Sequence, residues 1–229
     1  MERKTPDKSI PSPISRYHSR VIRQTELATG LYELELDRKE MAFTAGAEII
    51  LHGSEPTLDR TYSIASGEKA STLRILYRLI PDGARTPQLA KLRSGMEIDF
   101  TGPTGNFHLK NPDSPCIFIA TGTGIAPAIS FLETYPQMDM TLIHGVREIQ
   151  DLAYSKWLQE AAYTPCVSGQ VSGDYFSGRV SQYAVQHPVP PGKDIYLCGS
   201  NPMIEEVRAL LLAQGHDSRR MFSEPYYFW

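Results

Sequence analysis

The pentapeptide Cys116-Ile-Phe-Ile-Ala120 is apolar throughout, and Thr121-Gly-Thr-Gly124 and a helix-like stretch over 125–133 follow it at once. A strand without a polar face has to be covered on both sides, which calls for a parallel sheet wrapped by helices. The rest of this half repeats the alternation. Strands are expected over 140–144, 165–167, 194–198 and 219–223, and helices over 152–162, 179–185 and 202–213. Strand alternating with helix is the pattern of an α/β sheet.

The first half follows another rule. Residues 31–36, Leu-Tyr-Glu-Leu-Glu-Leu, alternate apolar and polar with period two, so one face is buried and the other wet. Residues 47–51, 61–65, 73–80 and 96–100 continue as strands between Gly, Pro and Asp turns, with one short helix over 86–92 and Pro87 in its first turn. Many short strands of this kind predict a small antiparallel barrel. Asn-Pro-Asp-Ser-Pro at 111–115 is the expected linker. Three segments result: a flexible arm over 1–15, an antiparallel β-barrel over 16–110, and an α/β parallel-sheet domain over 111–229.

Composition narrows the function classes. With 229 residues, 41% hydrophobic and 21% charged, the chain has the make-up of an ordinary globular protein. A net charge of −3 speaks against a dedicated nucleic-acid binder. No apolar run approaches the ~20 residues of a membrane helix, and the start lacks the apolar core of a signal peptide. A cytoplasmic location without a membrane partner is therefore expected. Three scattered cysteines are too few for a metal cluster or a disulfide frame. Residues 1–110 hold 16 Lys and Arg against 14 Asp and Glu, whereas residues 111–229 hold 7 against 12. An acidic partner would meet the first half, with Arg16, Arg20, Arg23 and Arg85 as candidate contacts.

Two Gly-bearing turns occupy the strand-to-helix positions where ligands of α/β sheets bind. Gly122 and Gly124 let backbone N–H groups approach a pyrophosphate at a helix start, and a plain tight connection explains them equally well. Cys198-Gly199-Ser200-Asn201-Pro202-Met203 is the second turn, with Ser200 or Asn201 as cap. In the barrel, Arg60-Thr-Tyr-Ser63 combines a phosphate-binding cation, a ring to stack and a hydroxyl to donate.

These pieces occur in one order: Arg60 to Ser66, Gly102-Pro-Thr-Gly-Asn-Phe107, the turn at 122–127, Cys198-Gly199 with Met203, and an aromatic end. Over residues 16–229 the chain resembles the ferredoxin–NADP⁺ reductase family, in its compact bacterial branch that also serves flavodoxin. The resemblance implies an FAD-binding barrel followed by an NADP(H)-binding α/β domain. It places Arg60 on the FAD pyrophosphate, Tyr62 and Tyr77 against the flavin, Ser63 at N5, and Gly83 and Thr86 at the pyrophosphate. Gly122, Thr123, Gly124, Gly199 and Met203 would line the nicotinamide crevice, with Cys198 beside the hydride path. Arg147 and Arg179 match positions that hold the 2′-phosphate, although Ser168-Gly169 stands where relatives carry a further Arg. Aligned on Glu224, Tyr226 would cover the second flavin face and Trp229 would reach the adenine; Ser63, Cys198, Glu224 and Tyr226 form the implied catalytic set. The implied activity is electron exchange between NADP(H) and a ferredoxin or flavodoxin by a monomeric enzyme. A reductase component of an oxygenase system, or a non-catalytic flavoprotein subunit, are the other readings.

Overall fold

The structure is a computed structural model that describes residues 12–158, 162–171 and 173–226. Its first half is a six-stranded antiparallel sheet in the order β4-β3-β6-β1-β2-β5. The strands are β1 (Ser15–Ala28), β2 (Leu31–Asp37), β3 (Glu48–Leu51), β4 (Arg60–Ser63), β5 (Thr72–Arg78) and β6 (Glu97–Thr104). A bridge between Ile64 and Ile75 ties the β4 edge to β5, so the sheet is a nearly closed barrel. The alternation over 31–36 does what period two requires: Leu34 and Leu36 are fully buried among Ile49, Leu51, Ile75 and Phe100. The one barrel helix, α1, is a single turn, Thr86–Leu89.

The second sheet is parallel, in the order β10-β9-β8-β7-β11-β12. Its strands are β7 (Cys116–Thr121), β8 (Met140–Val146), β9 (Ala162–Val167), β10 (Phe176–Ser177), β11 (Asp194–Ser200) and β12 (Met221–Tyr226). The helices are α2 (Ala126–Thr134), α3 (Ser155–Leu158), α4 (Val180–Gln186) and α5 (Asn201–Ala213). Strand β7 shows why its sequence is apolar throughout. Phe118 and Ala120 pack with α2, whereas Ile117 and Ile119 pack with α4 and α5 on the opposite face. The chain runs outward from β7 through β8, β9 and β10, then returns to β11 on the other side of β7. That reversal makes a crevice between the carboxyl ends of β7 and β11.

The two sheets share a core. Phe107, at the end of the barrel, packs edge-on against Phe118 (5.9 Å) and Tyr196 (5.8 Å), and Phe131 of α2 joins them. Polar links reinforce it: Ser130 Oγ donates to the Ser66 carbonyl (2.8 Å), Arg78 pairs with Asp151 (2.8 Å), and Arg74 pairs with Glu133. An apolar seam of this kind fixes the cleft between the sheets.

Two local expectations change. The arm does not extend to residue 15: Ser12 exchanges hydrogen bonds with Ala42 (3.0 and 2.8 Å), and Ser15 already pairs with Gly102 in β1. Residues 1–11 lie outside the described residues. Of the helix expected over 152–162, the described residues show Ser155–Leu158, and Ala162 opens β9 instead, opposite Thr141 of β8. Sheet pairing overrides helical propensity there. No helix among the described residues is long and apolar enough to cross a membrane.

Candidate functional site

Two cavities meet in the cleft. The barrel-side cavity, about 380 Å³, is walled by Arg60, Tyr62 and Ser63 of β4, Tyr77 and Arg78 of β5, residues 83–86, Thr123 and Tyr226. The second, about 840 Å³, opens beyond the carboxyl ends of β7, β8, β9 and β11 and is lined by Gly122, Thr123, Arg147, Ser168, Arg179, Ser200 and Met203. Thr123 and Arg78 border both. A molecule seated in one cavity can therefore touch a molecule seated in the other.

The barrel-side wall is built by β4. Arg60 Nη1 donates to the carbonyls of Thr57 (2.9 Å) and Asp59 (2.8 Å), which fixes its guanidinium at the rim. Burial pushes the Tyr62 hydroxyl up to about 12, so this ring is a neutral surface. Tyr77 is buried, stacks on Tyr32 at 5.2 Å and donates its hydroxyl proton to Gln24 (3.0 Å), so it supports the wall from the core. Gly83 lies in a tight turn, its N–H on the Ile80 carbonyl (2.9 Å), where a Cβ would meet Ile80 at 3.1 Å. The Thr86 hydroxyl is engaged in that same loop: it accepts from Ile80 N–H (2.8 Å) and donates to Ile80 O (3.2 Å). It does not cap α1, where Arg85 is the cap residue and makes no side-chain cap bond.

Arg85 is the larger departure. Expected at a partner face, it is 7% exposed, lines the cavity, and donates from Nη2 to the His52 carbonyl (2.7 Å). Its Nε has no hydrogen-bond partner, an uncompensated buried donor. Arg16, Arg20 and Arg23 lie instead on β1 and are paired with Asp99 (2.8 Å), Asp37 (3.9 Å) and Glu35 (3.1 Å). None of these three lines the cavity, and their charge is locally cancelled.

At the inner end, four side chains converge although Ser63 and Glu224 are 161 residues apart. The Tyr226 hydroxyl donates to Ser63 Oγ (2.7 Å), and Ser63 donates to Glu224 Oε2 (2.6 Å). Cys198 Sγ stands 3.8 Å from the same oxygen. Burial pushes the Cys198 thiol well above its usual range, so it is a protonated, compact neighbour. It lines neither cavity and meets the site through Glu224 and Tyr226. Burial and the Glu48 charge push the Glu224 carboxyl up to about 8. Glu48 was not among the expected site residues. The signal for it was present, a lone carboxylate in the otherwise apolar strand 47–51. Trp229 lies outside the described residues.

The Gly turns are interlocked. Gly122 has φ +54 and open space around it, whereas a Cβ on Gly124 would lie 2.4 Å from the Cys198 carbonyl. Gly199, at φ +138, would drive a Cβ to 2.2 Å from Thr121 Oγ1, which itself accepts from Ser200 N–H (3.3 Å). The β7 and β11 turns thus pack backbone on backbone. His144 fixes the first from below: Nε2 bonds to the Gly122 carbonyl (2.9 Å) and Nδ1 to the Tyr163 hydroxyl (3.1 Å). A carbonyl only accepts, so the ring proton sits on Nε2 and Tyr163 donates. Ser200 is the cap residue of α5 but makes no side-chain cap bond, and Asn201 binds Glu205 instead (2.7 Å). Met203 is buried in the α5 core and shows an edge to the cavity. Arg147 and Arg179 stand exposed on either side of Ser168. This cavity offers cations and backbone N–H groups to a phosphorylated ligand, and the barrel-side cavity offers aromatic faces and three guanidiniums to a flat ring bearing phosphates.

Comparison with known proteins matches this division. Residues 20–109 match the oxidoreductase FAD-binding domain family and residues 118–209 the oxidoreductase NAD-binding domain family. The toluate 1,2-dioxygenase electron transfer component of Pseudomonas putida is 31% identical over 82% of this chain and 60% of its own length. Ferredoxin--NADP reductase A of Sorangium cellulosum is 30% identical over 70% of this chain and 68% of its own. The crystal structure of a ferredoxin NADP+ reductase from Neisseria gonorrhoeae with bound FAD and NADP superposes with a TM-score of 0.81. It has 24% identity and covers 93% of this chain and 99% of that one. The chain spans between half and about two thirds of the length of the oxygenase relatives it matches. With both domains matched in order and the two cavities meeting between them, the chain belongs to the ferredoxin–NADP⁺ reductase family of flavin-dependent oxidoreductases.

Proposed function

We propose that the chain is an FAD-dependent reductase exchanging electrons between NADP(H) and a one-electron carrier protein of the ferredoxin or flavodoxin type. The observation that carries it is the meeting of the two cavities at Thr123 and Arg78, with Ser63 at the wall of the first. Arg60 and the buried Arg85 would hold the pyrophosphate, Tyr62 and Tyr226 would enclose the flavin, and Ser63 would face its reactive edge. FAD, when bound, supplies the two-electron to one-electron switch. The chain's own residues do the positioning: Thr123 and the turns at 122–124 and 199 bring the nicotinamide to that edge, so the reacting atoms need no search. Arg147 and Arg179 would bind the 2′-phosphate and favour NADP(H). Tyr226 borders the same cavity, so its ring has to yield before nicotinamide stacks.

A second reading has its own support. The toluate 1,2-dioxygenase relative above, like the 2-halobenzoate and anthranilate 1,2-dioxygenase relatives, is an electron transfer component, which supports an oxygenase partner as the acceptor. Both readings share FAD, the nicotinamide and the geometry. The test is steady-state turnover of the FAD-loaded chain with NADPH and NADH, against a dye, a ferredoxin, a flavodoxin and an oxygenase component. Reduction of ferredoxin or flavodoxin driven by NADPH is the expected result. Dye reduction with transfer only to the oxygenase component would favour the second reading, and no turnover with any acceptor would overturn both.

A further inference from the structure

Strand β3 reads Glu48-Ile-Ile-Leu51, one charged side chain among apolar ones. Its register sets Glu48 opposite Ser63 of β4 and Thr104 of β6, at the wall of the barrel-side cavity. There the Glu48 carboxyl comes within hydrogen-bonding reach of the Glu224 carboxyl. What faces Glu224 is Glu48 from β3, Ser63 from β4, Cys198 from β11 and Tyr226 from its own strand; none of these is a cation. Two carboxylates offer acceptor oxygens alone, so a hydrogen bond between them requires one to carry a proton.

The surroundings decide which. Ser63 donates to Glu224 Oε2 and the Cys198 thiol leans on the same atom, so that oxygen is already served by two donors. Glu224 is 9% exposed and lies behind the wall, whereas Glu48 lines the cavity itself. Charge is less costly at the more open position. We propose that Glu48 and Glu224 share a single proton at the Ser63 edge of the cavity, and that Glu48 is the positioning residue that keeps Glu224 protonated. Every donor then points one way: Tyr226 to Ser63, Ser63 to Glu224, Glu224 to Glu48. The edge carries one negative charge instead of two, and Ser63 is held by a neutral carboxyl. Burial of Glu224 and the Glu48 charge both raise Glu224, while burial raises Glu48 and the bond with Glu224 lowers it.

The consequence for electron transfer rests on the function proposed above; the shared proton itself does not. The test is a carbon-13 NMR titration of the purified chain labelled at the glutamate carboxyl carbon, FAD-loaded and cofactor-stripped, with the Glu224 signal identified by Glu224→Gln. One carboxyl titrating near pH 8, far above the ordinary 4.5, is expected in the wild type. In Glu48→Gln that midpoint should fall by about one pH unit or more, and Glu48→Asp should restore part of the shift. Glu48 and Glu224 both titrating with the ordinary glutamates in the wild type overturns the proposal, whatever the variants do. An unmoved Glu224 midpoint in Glu48→Gln overturns the role of Glu48. If the chain retains no FAD, the function proposed above fails while the stripped-chain titration still decides the proton.

Discussion

Ser63 is the side chain on which the site turns, because it accepts from Tyr226 and donates to Glu224 at once. Ser63→Ala removes both bonds and leaves the Tyr226 hydroxyl without its acceptor. Stopped-flow flavin reduction by NADPH should slow by about 10²-fold, the usual effect of losing one preorganised donor, while FAD affinity changes little. An unchanged rate would remove Ser63 from the reacting edge. Arg179 is an exposed cation whose backbone is fixed by the bond from its N–H to Gln182 Oε1 (2.7 Å). Arg179→Ala should raise KM for NADPH about tenfold more than KM for NADH, as expected for a lost charge-assisted contact at an exposed site. Equal losses with both nucleotides would argue against a 2′-phosphate contact. Arg60, Tyr62, Ser63 and Tyr226 could be singled out because their motif is local or terminal. Glu48 stood out only as a lone carboxylate in an apolar strand and Arg85 only as a candidate partner contact, because what gives them their place in the site is a neighbour from a distant segment.

At the scale of the element, the two glycines of the turn after β7 look alike in sequence and differ in structure. A methyl group on Gly124 has no room against the Cys198 carbonyl at 2.4 Å, a backbone atom that cannot turn aside. Gly122 has space, and a side chain there meets only the strain of φ +54. Gly124→Ala should cost about 1–3 kcal/mol by denaturant melts and separate the β7 and β11 turns, with a large loss of nucleotide affinity. Gly122→Ala should cost about 1–2 kcal/mol and leave the packing intact. Equal effects on nucleotide affinity would show that the interlock does not matter for the crevice. The helix expected over 152–162 teaches the converse. Its local pattern is helical, yet the edge of β8 was open to a partner and pairing claimed the end of the segment.

For the whole molecule, two buried titrating groups give stability opposite pH trends. Burial holds the His144 ring down to about 4, against 6.5 when unfolded. The unfolded chain therefore binds the extra proton between those values, and stability is lost as pH falls from about 6.5 towards 4, by up to about 3 kcal/mol. Glu224 runs the other way, from 4.5 up to about 8, so the folded chain holds the extra proton and stability falls as pH rises through that window. Between pH 4.5 and 6.5 the two oppose each other. Thermal melts of the wild type should therefore vary little between pH 4.5 and 6.5 on account of this pair, whereas His144→Gln should gain stability as pH falls through that window, and the decline from pH 6.5 to 8 should remain in both. An acid limb identical in wild type and His144→Gln would contradict the assignment. At this scale the three candidate contacts on β1 keep side chains that are 63–65% exposed. Arg16, Arg20 and Arg23 are each matched by a carboxylate on a neighbouring strand.

The amino-acid order alone determined the two architectures, because period two and an unbroken apolar run each admit essentially one kind of sheet. It also located the loops at the carboxyl ends of β7 and β11, since Gly between strand and helix marks a close backbone approach. Only the tertiary structure decided what those loops and strands do to one another. Phe107, Phe118, Phe131 and Tyr196 had to meet before the barrel and the α/β sheet could present a common cleft. Glu48, Ser63 and Glu224 became one site through strand register and that shared core. Burial, pairing and the sharing of a proton depend on distances across the fold, and separation along the chain carries no information about them.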